Sequence, residues 1–76
     1  MEPYKNLGGD SGVVAYAMGD DYIKIRFRGD ATYTYNHRIP GREHVEHMKK
    51  LAKGGRGLST YVTTHVKDRY ASKTDR

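Results

Sequence analysis

The sequence predicts an α+β fold in which a three-stranded antiparallel β-meander is followed by two helices packed on one face of the sheet (β-β-β-α-α). Apolar and basic residues alternate strictly over residues 22 to 28, which is typical of a half-buried strand. Turn signals at Gly19-Asp20-Asp21 and Gly29-Asp30 separate this segment from two others that are rich in β-forming residues. From Arg42 the apolar residues recur at helical spacing instead. Elements with one apolar face each bury those faces when the helix pair packs across one side of the sheet.

The second strand defines the two faces of the predicted sheet. We expect strands over residues 12 to 18, 22 to 28 and 31 to 38, the last ending before Pro40-Gly41. Because side chains alternate along a strand, one face of the second strand is apolar and the other is basic. The apolar set, predicted to face the core, is Ile23, Ile25 and Phe27, and the basic set, predicted to face solvent, is Lys24, Arg26 and Arg28.

Two helices are predicted after the strands. The first begins at Arg42 and ends at Gly54-Gly55, and its apolar positions are Val45, Met48, Leu51 and Ala52. The second is expected from about residue 58 to residue 70, with Ser59 or Gly57 as its cap. Its predicted stripe consists of Leu58, Tyr61, Val62, His65, Val66 and Arg69.

The chain of 76 residues has room for a single domain. Residues 1 to 11 contain Gly8-Gly9-Asp10-Ser11 and no periodic apolar pattern, so we expect a flexible N-terminal arm. Residues 12 to 70 form the predicted domain, and residues 71 to 76 are expected to be a charged C-terminal tail. With no cysteine, apolar packing has to hold the fold together without disulfides or thiolate metal sites.

Charge is distributed unevenly along the chain. The formal net charge is +5, which attracts nucleic acid, anionic lipid or acidic proteins. Residues 1 to 40 hold five basic and five acidic side chains, whereas residues 41 to 76 hold nine basic and four acidic ones. The start of the chain lacks an apolar signal segment, and no apolar run is long enough to span a membrane. We therefore expect a cytoplasmic protein that does not bind membranes.

The loop between the second and third strands decides where Tyr33 and Tyr35 point, because one additional loop residue moves every later side chain to the other face. With a two-residue loop, Phe27 pairs with Thr32, and both tyrosines join Lys24 on the open face as a stacking platform for unpaired bases. With a three-residue loop, Phe27 pairs with Tyr33, and both tyrosines enter the core. We favour the second register, since the first would line a small core with Thr32, Thr34 and Asn36, whose polar groups would lack partners.

Residues 11 to 71 resemble the KTSC domain, a small domain that occurs at the C-terminus of some lysyl-tRNA synthetases and as a free-standing protein. The matching features are Ser11 before the first strand, the Ile-x-Ile-x-Phe strand, Tyr33-Thr34-Tyr35, Pro40-Gly41, the break at Gly54 and Gly57, and Arg69-Tyr70. The Gly29-Asp30 turn departs from the Asp-Gly or Asn-Gly order expected there. The resemblance implies RNA binding by association with the synthetases. It implies no aminoacylation chemistry, because nothing of a synthetase active site is present.

Two basic clusters are candidate phosphate contacts. The first, on the open sheet face, consists of Lys24, Arg26, Arg28 and Arg38. The second, at the end of the first helix, consists of Lys49, Lys50, Lys53 and Arg56. Both have structural explanations as well. Cations on an exposed sheet discourage aggregation, and cations at a helix C-terminus complement its dipole, with Glu46 and Lys50 spaced as an ion pair.

The histidines and serines do not form a recognisable catalytic or metal-binding motif. His37, His44 and His47 lie near Glu43 and Glu46 in sequence, but their spacing is loose, so we expect no metal site. We interpret His65 as a packing residue on the helix stripe. Ser11, Ser59 and Ser72 lie in turn, cap or tail positions without a nucleophile pattern.

The sequence thus predicts a small non-enzymatic binding module without cofactors. Our first hypothesis is an RNA-binding accessory domain that uses the two basic clusters, with Tyr33 and Tyr35 as structural or stacking residues. The alternative is a protein-interaction or self-association module that pairs with another chain, or with a second copy of itself, through a sheet edge.

Overall fold

The computed structural model describes residues 1–7, 12–29, 31–66 and 68–75. It shows an α+β domain with one antiparallel sheet of five strands in the order β1-β2-β3-β4-β5. The strands are β1 (Glu2–Pro3), β2 (Val13–Met18), β3 (Tyr22–Phe27), β4 (Ala31–Asn36) and β5 (Ser72–Asp75). The helices are α1 (Arg42–Gly54) and α2 (Leu58–Tyr61), and α2 continues as a π-helical segment, Val62–Val66. The predicted meander corresponds to β2, β3 and β4.

The β3–β4 hairpin adopts the register that points both tyrosines inwards. Ile23 lies opposite Tyr35 and Ile25 lies opposite Tyr33. Three residues separate the end of β3 from the start of β4, and Gly29 has a φ of 94°, which favours glycine. The expected pairing of Phe27 with Tyr33 is wrong by two residues. The two rings instead meet diagonally, edge to face, with centroids 5.3 Å apart.

The core lies between the sheet and the helices. From the sheet, Ile23, Ile25 and Tyr35 are fully buried. From the helices, Val45, Met48, Leu58 and Val66 are buried with them. Each aliphatic side chain buried in this way stabilises the fold by about 1.5–3 kcal/mol. The helices therefore pack on one face of the sheet, and the alternating basic residues of β3 lie on the other.

The N-terminal segment belongs to the domain, contrary to the expectation of an arm. Glu2 and Pro3 pair with β2, and the amide of Tyr4 donates a hydrogen bond to the carbonyl of Val14 at 3.0 Å. The Tyr4 side chain is buried, and its hydroxyl accepts a hydrogen bond from the Leu58 amide at 3.3 Å. A domain with one Phe and no Trp uses this ring as core volume. Residues 8–11 of the expected arm lie outside the described residues.

The C-terminal segment is also paired rather than a tail. Within β5, Ser72 lies opposite Thr34 and Lys73 lies opposite Tyr33. The Ala71 amide donates to the Thr34 carbonyl at 2.7 Å. Main-chain hydrogen bonds along β4 draw this polar segment into the sheet, and such bonds require no apolar alternation in the sequence that forms them.

The first helix has the predicted bounds, whereas the second is shorter than predicted. Gly55 is left-handed (φ 73°) and its amide bonds the last carbonyls of α1, as expected of a glycine that ends a helix. Gly57 is the N-cap residue of α2. The Thr64 hydroxyl donates to the Thr60 carbonyl at 2.8 Å. Such a bond slightly destabilises a regular helix, β-branched residues do the same, and both features occur in the π-helical segment.

Replacing Tyr4 tests whether the N-terminal segment is part of the core. We expect Tyr4→Ala to lower the free energy of unfolding by about 3 kcal/mol through the cavity it leaves. Tyr4→Phe should cost about 1 kcal/mol through the lost hydrogen bond. Urea denaturation followed by circular dichroism measures both. Leu7→Ala, at a side chain that is 59% exposed, is the control and should change little. Equal effects of Tyr4→Ala and Leu7→Ala would show that the segment is not docked.

Candidate nucleic-acid interface

The sheet face opposite the helices, here called the open face, has two cations at its centre. By strand alternation and register it consists of Pro3, Ala15, Ala17, Tyr22, Lys24, Arg26, Thr32, Thr34, Asn36, Ser72 and Thr74. Lys24 and Arg26 lie on the central strand and are exposed. Their neighbours on β2 are alanines and their neighbours on β4 are threonines, all short. No helix among the described residues covers this face, so an extended ligand can approach both cations.

Tyr22 adds an aromatic ring to the open face that the sequence analysis did not identify. A Cβ placed on Gly19 would lie 2.3 Å from the ring, so the ring packs directly on the glycine backbone. The Lys24 ammonium lies 5.9 Å from the ring centroid. Glycine at position 19 thus permits a flat, half-buried tyrosine beside a cation. The signal in the sequence was the glycine directly before the paired aspartates.

Arg28 and Arg38 extend the basic row beyond the two ends of β3. Arg28 follows the strand, and its amide is held by the carbonyl of Gly12 at 2.8 Å. Arg38 lies in the turn after β4, where its amide donates to the Asn36 side-chain oxygen at 2.9 Å. Both side chains are exposed. Arg28 and Arg38 therefore lie at opposite ends of the β3–β4 hairpin, in the loop after β3 and in the turn after β4.

Tyr33 and Tyr35 are core residues and do not form the platform of the alternative register. Tyr35 is fully buried, and burial raises the pKa of its hydroxyl, with further contributions from Tyr33, Tyr70 and Asp68. The two rings are nearly parallel, with centroids 6.5 Å apart. The Lys73 ammonium lies 5.6 Å from the centroid of the Tyr33 ring. In this position Tyr33 and Tyr35 connect the hairpin to the C-terminal strand.

In the second basic cluster, at the end of α1, the structure separates Lys49 from Lys50, Lys53 and Arg56. The Lys49 ammonium donates to Glu46 at 2.9 Å and to the Asp20 carbonyl at 3.0 Å, and its side chain is only 12% exposed. Glu46 pairs with Lys49 rather than with the expected Lys50. Lys49 therefore joins α1 to the β2–β3 turn and does not face a ligand. Lys50, Lys53 and Arg56 are exposed on α1 and the loop that follows it, and Lys53 lines a cavity together with Tyr16 and Ala17 of β2.

A further cation, Lys5, lies near the end of α1. A Cβ on Gly55 would lie 2.6 Å from the Lys5 Cβ, so the stem of Lys5 packs against the end of α1. Lys5 is not among the cations predicted from the sequence, because residues 1 to 11 were expected to form an arm.

The histidines of the two helices pack around Tyr61. His44 Nδ1 and the Tyr61 hydroxyl are hydrogen-bonded at 2.7 Å. His47 stacks on the Tyr61 ring with centroids 4.6 Å apart, and His65 lies at 4.4 Å. Burial, with the charge of Glu43, raises the pKa of Tyr61. His65 is exposed rather than on a buried stripe. Within the described residues no group of side chains is arranged to hold a metal ion.

Comparison of the chain with protein-family models, with curated proteins and with solved structures gave no match. The function is therefore inferred from the residues and their geometry. Among the described residues, no helix combines the length and apolar character needed to cross a membrane.

Glu46 provides a pH test of the contact that holds α1 to the sheet. Hydrogen bonds from His37 and Lys49 lower its pKa from an ordinary 4.5 to about 2. The folded state thus prefers the charged carboxylate, and its contribution to stability is complete above pH 4.5 and lost as the pH falls towards 2. The difference in unfolding free energy between the wild-type protein and Glu46→Gln should decline over this window in denaturation series.

Glu43→Gln is the matched control, since it removes the same charge one turn earlier on α1. It should leave the decline between pH 4.5 and 2 in place. A Glu46→Gln protein with the wild-type pH profile would contradict the proposed role of this contact.

Proposed function

We propose that this protein is a small, non-enzymatic RNA-binding module that contacts an extended strand across its open face. The observation that carries the proposal is the pair of exposed cations, Lys24 and Arg26, at the centre of an uncovered sheet between short side chains. Exposed cations bind nucleic-acid phosphates where the surrounding protein surface leaves room for the sugar–phosphate backbone. Ala15 and Ala17 on one side and Thr32 and Thr34 on the other leave this room.

Single-stranded RNA fits this surface better than a duplex does. A sheet face offers a track for one strand, and unpaired bases stack on aromatic rings beside it. Tyr22 is such a ring, held against Gly19 at the end of the track. The threonine hydroxyls of β4 can donate to phosphate or accept from a ribose 2′-hydroxyl. Arg28 and Arg38 continue the positive charge beyond the sheet.

The resemblance to the KTSC domain supports the same proposal, since that domain accompanies enzymes that bind transfer RNA. Membership of that family is itself part of the proposal, as are the cytoplasmic location and the absence of catalysis. Of the eight cations considered from the sequence, the proposed surface retains four: Lys24, Arg26, Arg28 and Arg38. Lys49 is excluded by its structural contacts, and Lys50, Lys53 and Arg56 are set aside because they belong to α1 and the loop after it rather than to the sheet.

A protein-interaction function is the second candidate, and the edge strand β5 favours it. Its outer edge has no neighbouring strand within the described residues, and a partner strand could pair there. Size-exclusion chromatography over a range of concentrations separates the two proposals. A dimer that forms with rising concentration and lacks RNA affinity would replace the first proposal with the second.

Reversing the central cations tests the RNA surface. If four phosphates are neutralised, the logarithm of affinity for single-stranded RNA should fall against the logarithm of salt with a slope of about −2.8. The double variant Lys24→Glu, Arg26→Glu should weaken binding at least tenfold and bring the slope to about −1.4. Fluorescence anisotropy with a labelled oligonucleotide at several salt concentrations measures both quantities.

The double variant Lys50→Glu, Arg56→Glu is the matched control, because it makes the same charge change at exposed residues on the other side of the domain. It should keep most of the slope. Equal losses in the two double variants would mean that net charge alone attracts RNA, and the open-face proposal would then fail.

Tyr22 tests base stacking apart from charge. Tyr22→Leu keeps apolar volume over Gly19 but removes the ring, and it should weaken RNA binding by about 1–3 kcal/mol. Tyr22→Phe keeps the ring and should bind nearly as the wild type does. Thermal unfolding of both variants shows whether either substitution destabilises the fold and thereby lowers RNA affinity indirectly. Equal affinities of the two variants would rule out stacking at this position.

A further inference from the structure

A cavity of about 310 Å³ opens on the helix side of the sheet, near the β3–β4 loop. One wall is formed by the aromatic residues Phe27, Tyr33 and Tyr35. The opposite wall includes Val62 and Thr63 of the π-helical segment. The volume lies at the lower end of the range for small-molecule sites, which are concave and mostly apolar with a few polar groups. The cavity is therefore of a size for one small planar group.

The aromatic wall is held in place by contacts among its own rings. Tyr33 and Tyr35 are within 15° of parallel, and Phe27 meets Tyr33 at 87°. Tyr70 supports Tyr33 from another side, edge to face, with centroids 5.0 Å apart. Rings that fix one another lose little freedom when a ligand stacks on them. Because Tyr35 is fully buried, a flat π-system would contact the half-buried rings of Phe27 and Tyr33.

The polar groups of the cavity carry opposite charges. Arg28 and Asp68 both line it and are exposed, so they belong to its mouth. The charge of Asp68 contributes to the raised pKa of Tyr35 on the cavity wall. A ligand that satisfies both side chains needs N–H donors for the aspartate and acceptors for the arginine.

The π-helical segment provides an independent sign of function in this region. It replaces the regular helix expected from the sequence, and π-helical turns are frequent at functional sites. In this protein it contributes Thr63 to the cavity. The irregular turn and the cavity therefore coincide.

We propose that this cavity binds a single guanine base. Arginine contacts guanine through O6 and N7, and a carboxylate accepts hydrogen bonds from the N1–H and N2 amino groups, while the ring stacks on aromatic side chains. Adenine has an amino group where guanine has O6, so this hydrogen-bond donor would face the N–H donors of Arg28. The base comes either from a free guanine nucleotide or from an unpaired nucleotide of RNA. Only the second source rests on the proposed function.

Arg28 connects the two surfaces. It directly follows β3, the strand that carries Lys24 and Arg26, and it lines the cavity. A strand bound on the open face would pass the β3–β4 loop before its base entered the cavity on the other side of the sheet.

NMR titration with guanosine monophosphate and adenosine monophosphate tests the proposal. Resonances of Phe27, Tyr33 and Val62 should shift with the guanine nucleotide, which should bind about tenfold more tightly than the adenine nucleotide. Both nucleotides carry the same phosphate, so general attraction to a basic protein cancels. Asp68→Asn should remove most of this preference. Its side chain is exposed, so the fold is not expected to depend on it.

Two further variants separate the cavity from the open face. Thr63→Leu fills the cavity and should abolish the shifts with either nucleotide. The double variant Lys24→Glu, Arg26→Glu should leave nucleotide binding unchanged even where it weakens RNA binding. Failure of the cavity and failure of the open face are thus distinguishable.

Short single-stranded RNAs with and without one guanine identify the source of the base. Shifts at the cavity with guanosine monophosphate support a free nucleotide as ligand. Shifts only with the guanine-containing RNA support a base within a strand. Absence of shifts at Phe27, Tyr33 and Val62 with both probes, or equal shifts with the adenine probes, overturns the proposal.

Discussion

The fold and both proposed surfaces depend on the register of the β3–β4 hairpin. Ile23 opposite Tyr35 and Ile25 opposite Tyr33 place four large side chains on one face of the central strands. A shift of one residue would exchange these tyrosines with threonines and would leave hydroxyl groups in the core. The same register leaves Lys24 and Arg26 facing solvent on the opposite side. The burial of one face and the charge of the other therefore both follow from this one register.

The inward-facing side of the hairpin and the first helix could be predicted from the sequence because each rests on local periodicity, whereas the exact strand pairing was wrong by two residues. Ile23, Ile25 and Phe27 alternate strictly, and Gly55 ends α1 in the left-handed conformation typical of its position. The inward direction of the two tyrosines could be predicted because the other register would bury the polar groups of Thr32, Thr34 and Asn36 without partners. Of the candidate site, the exposure of Lys24 and Arg26 followed from the same alternation.

The two edge strands and the division of the basic clusters could not be predicted, since they depend on contacts distant in sequence. Tyr4 enters the core through β2 and the Leu58 amide, 54 residues away. Lys49 lies among other lysines in sequence, and only the folded chain brings Asp20 within 3.0 Å of it. The π-helical segment, Val62–Val66, occurs where apolar residues still recur at helical spacing, so the sequence pattern does not distinguish it from a regular helix. Such residues have ordinary local patterns and acquire their roles only from tertiary partners.

The shortage of apolar residues links these features to function. A small core filled by tyrosines needs aromatic side chains on its margin, and rings packed edge to face leave spaces that aliphatic side chains would close. The cavity beside Tyr33 and the π-helical segment is such a space. Arg28 lies at the charged mouth of the cavity and directly follows β3, the strand that carries Lys24 and Arg26 of the open face. The β3–β4 loop, which sets the register of the core, is thus also the place where the two proposed binding surfaces meet.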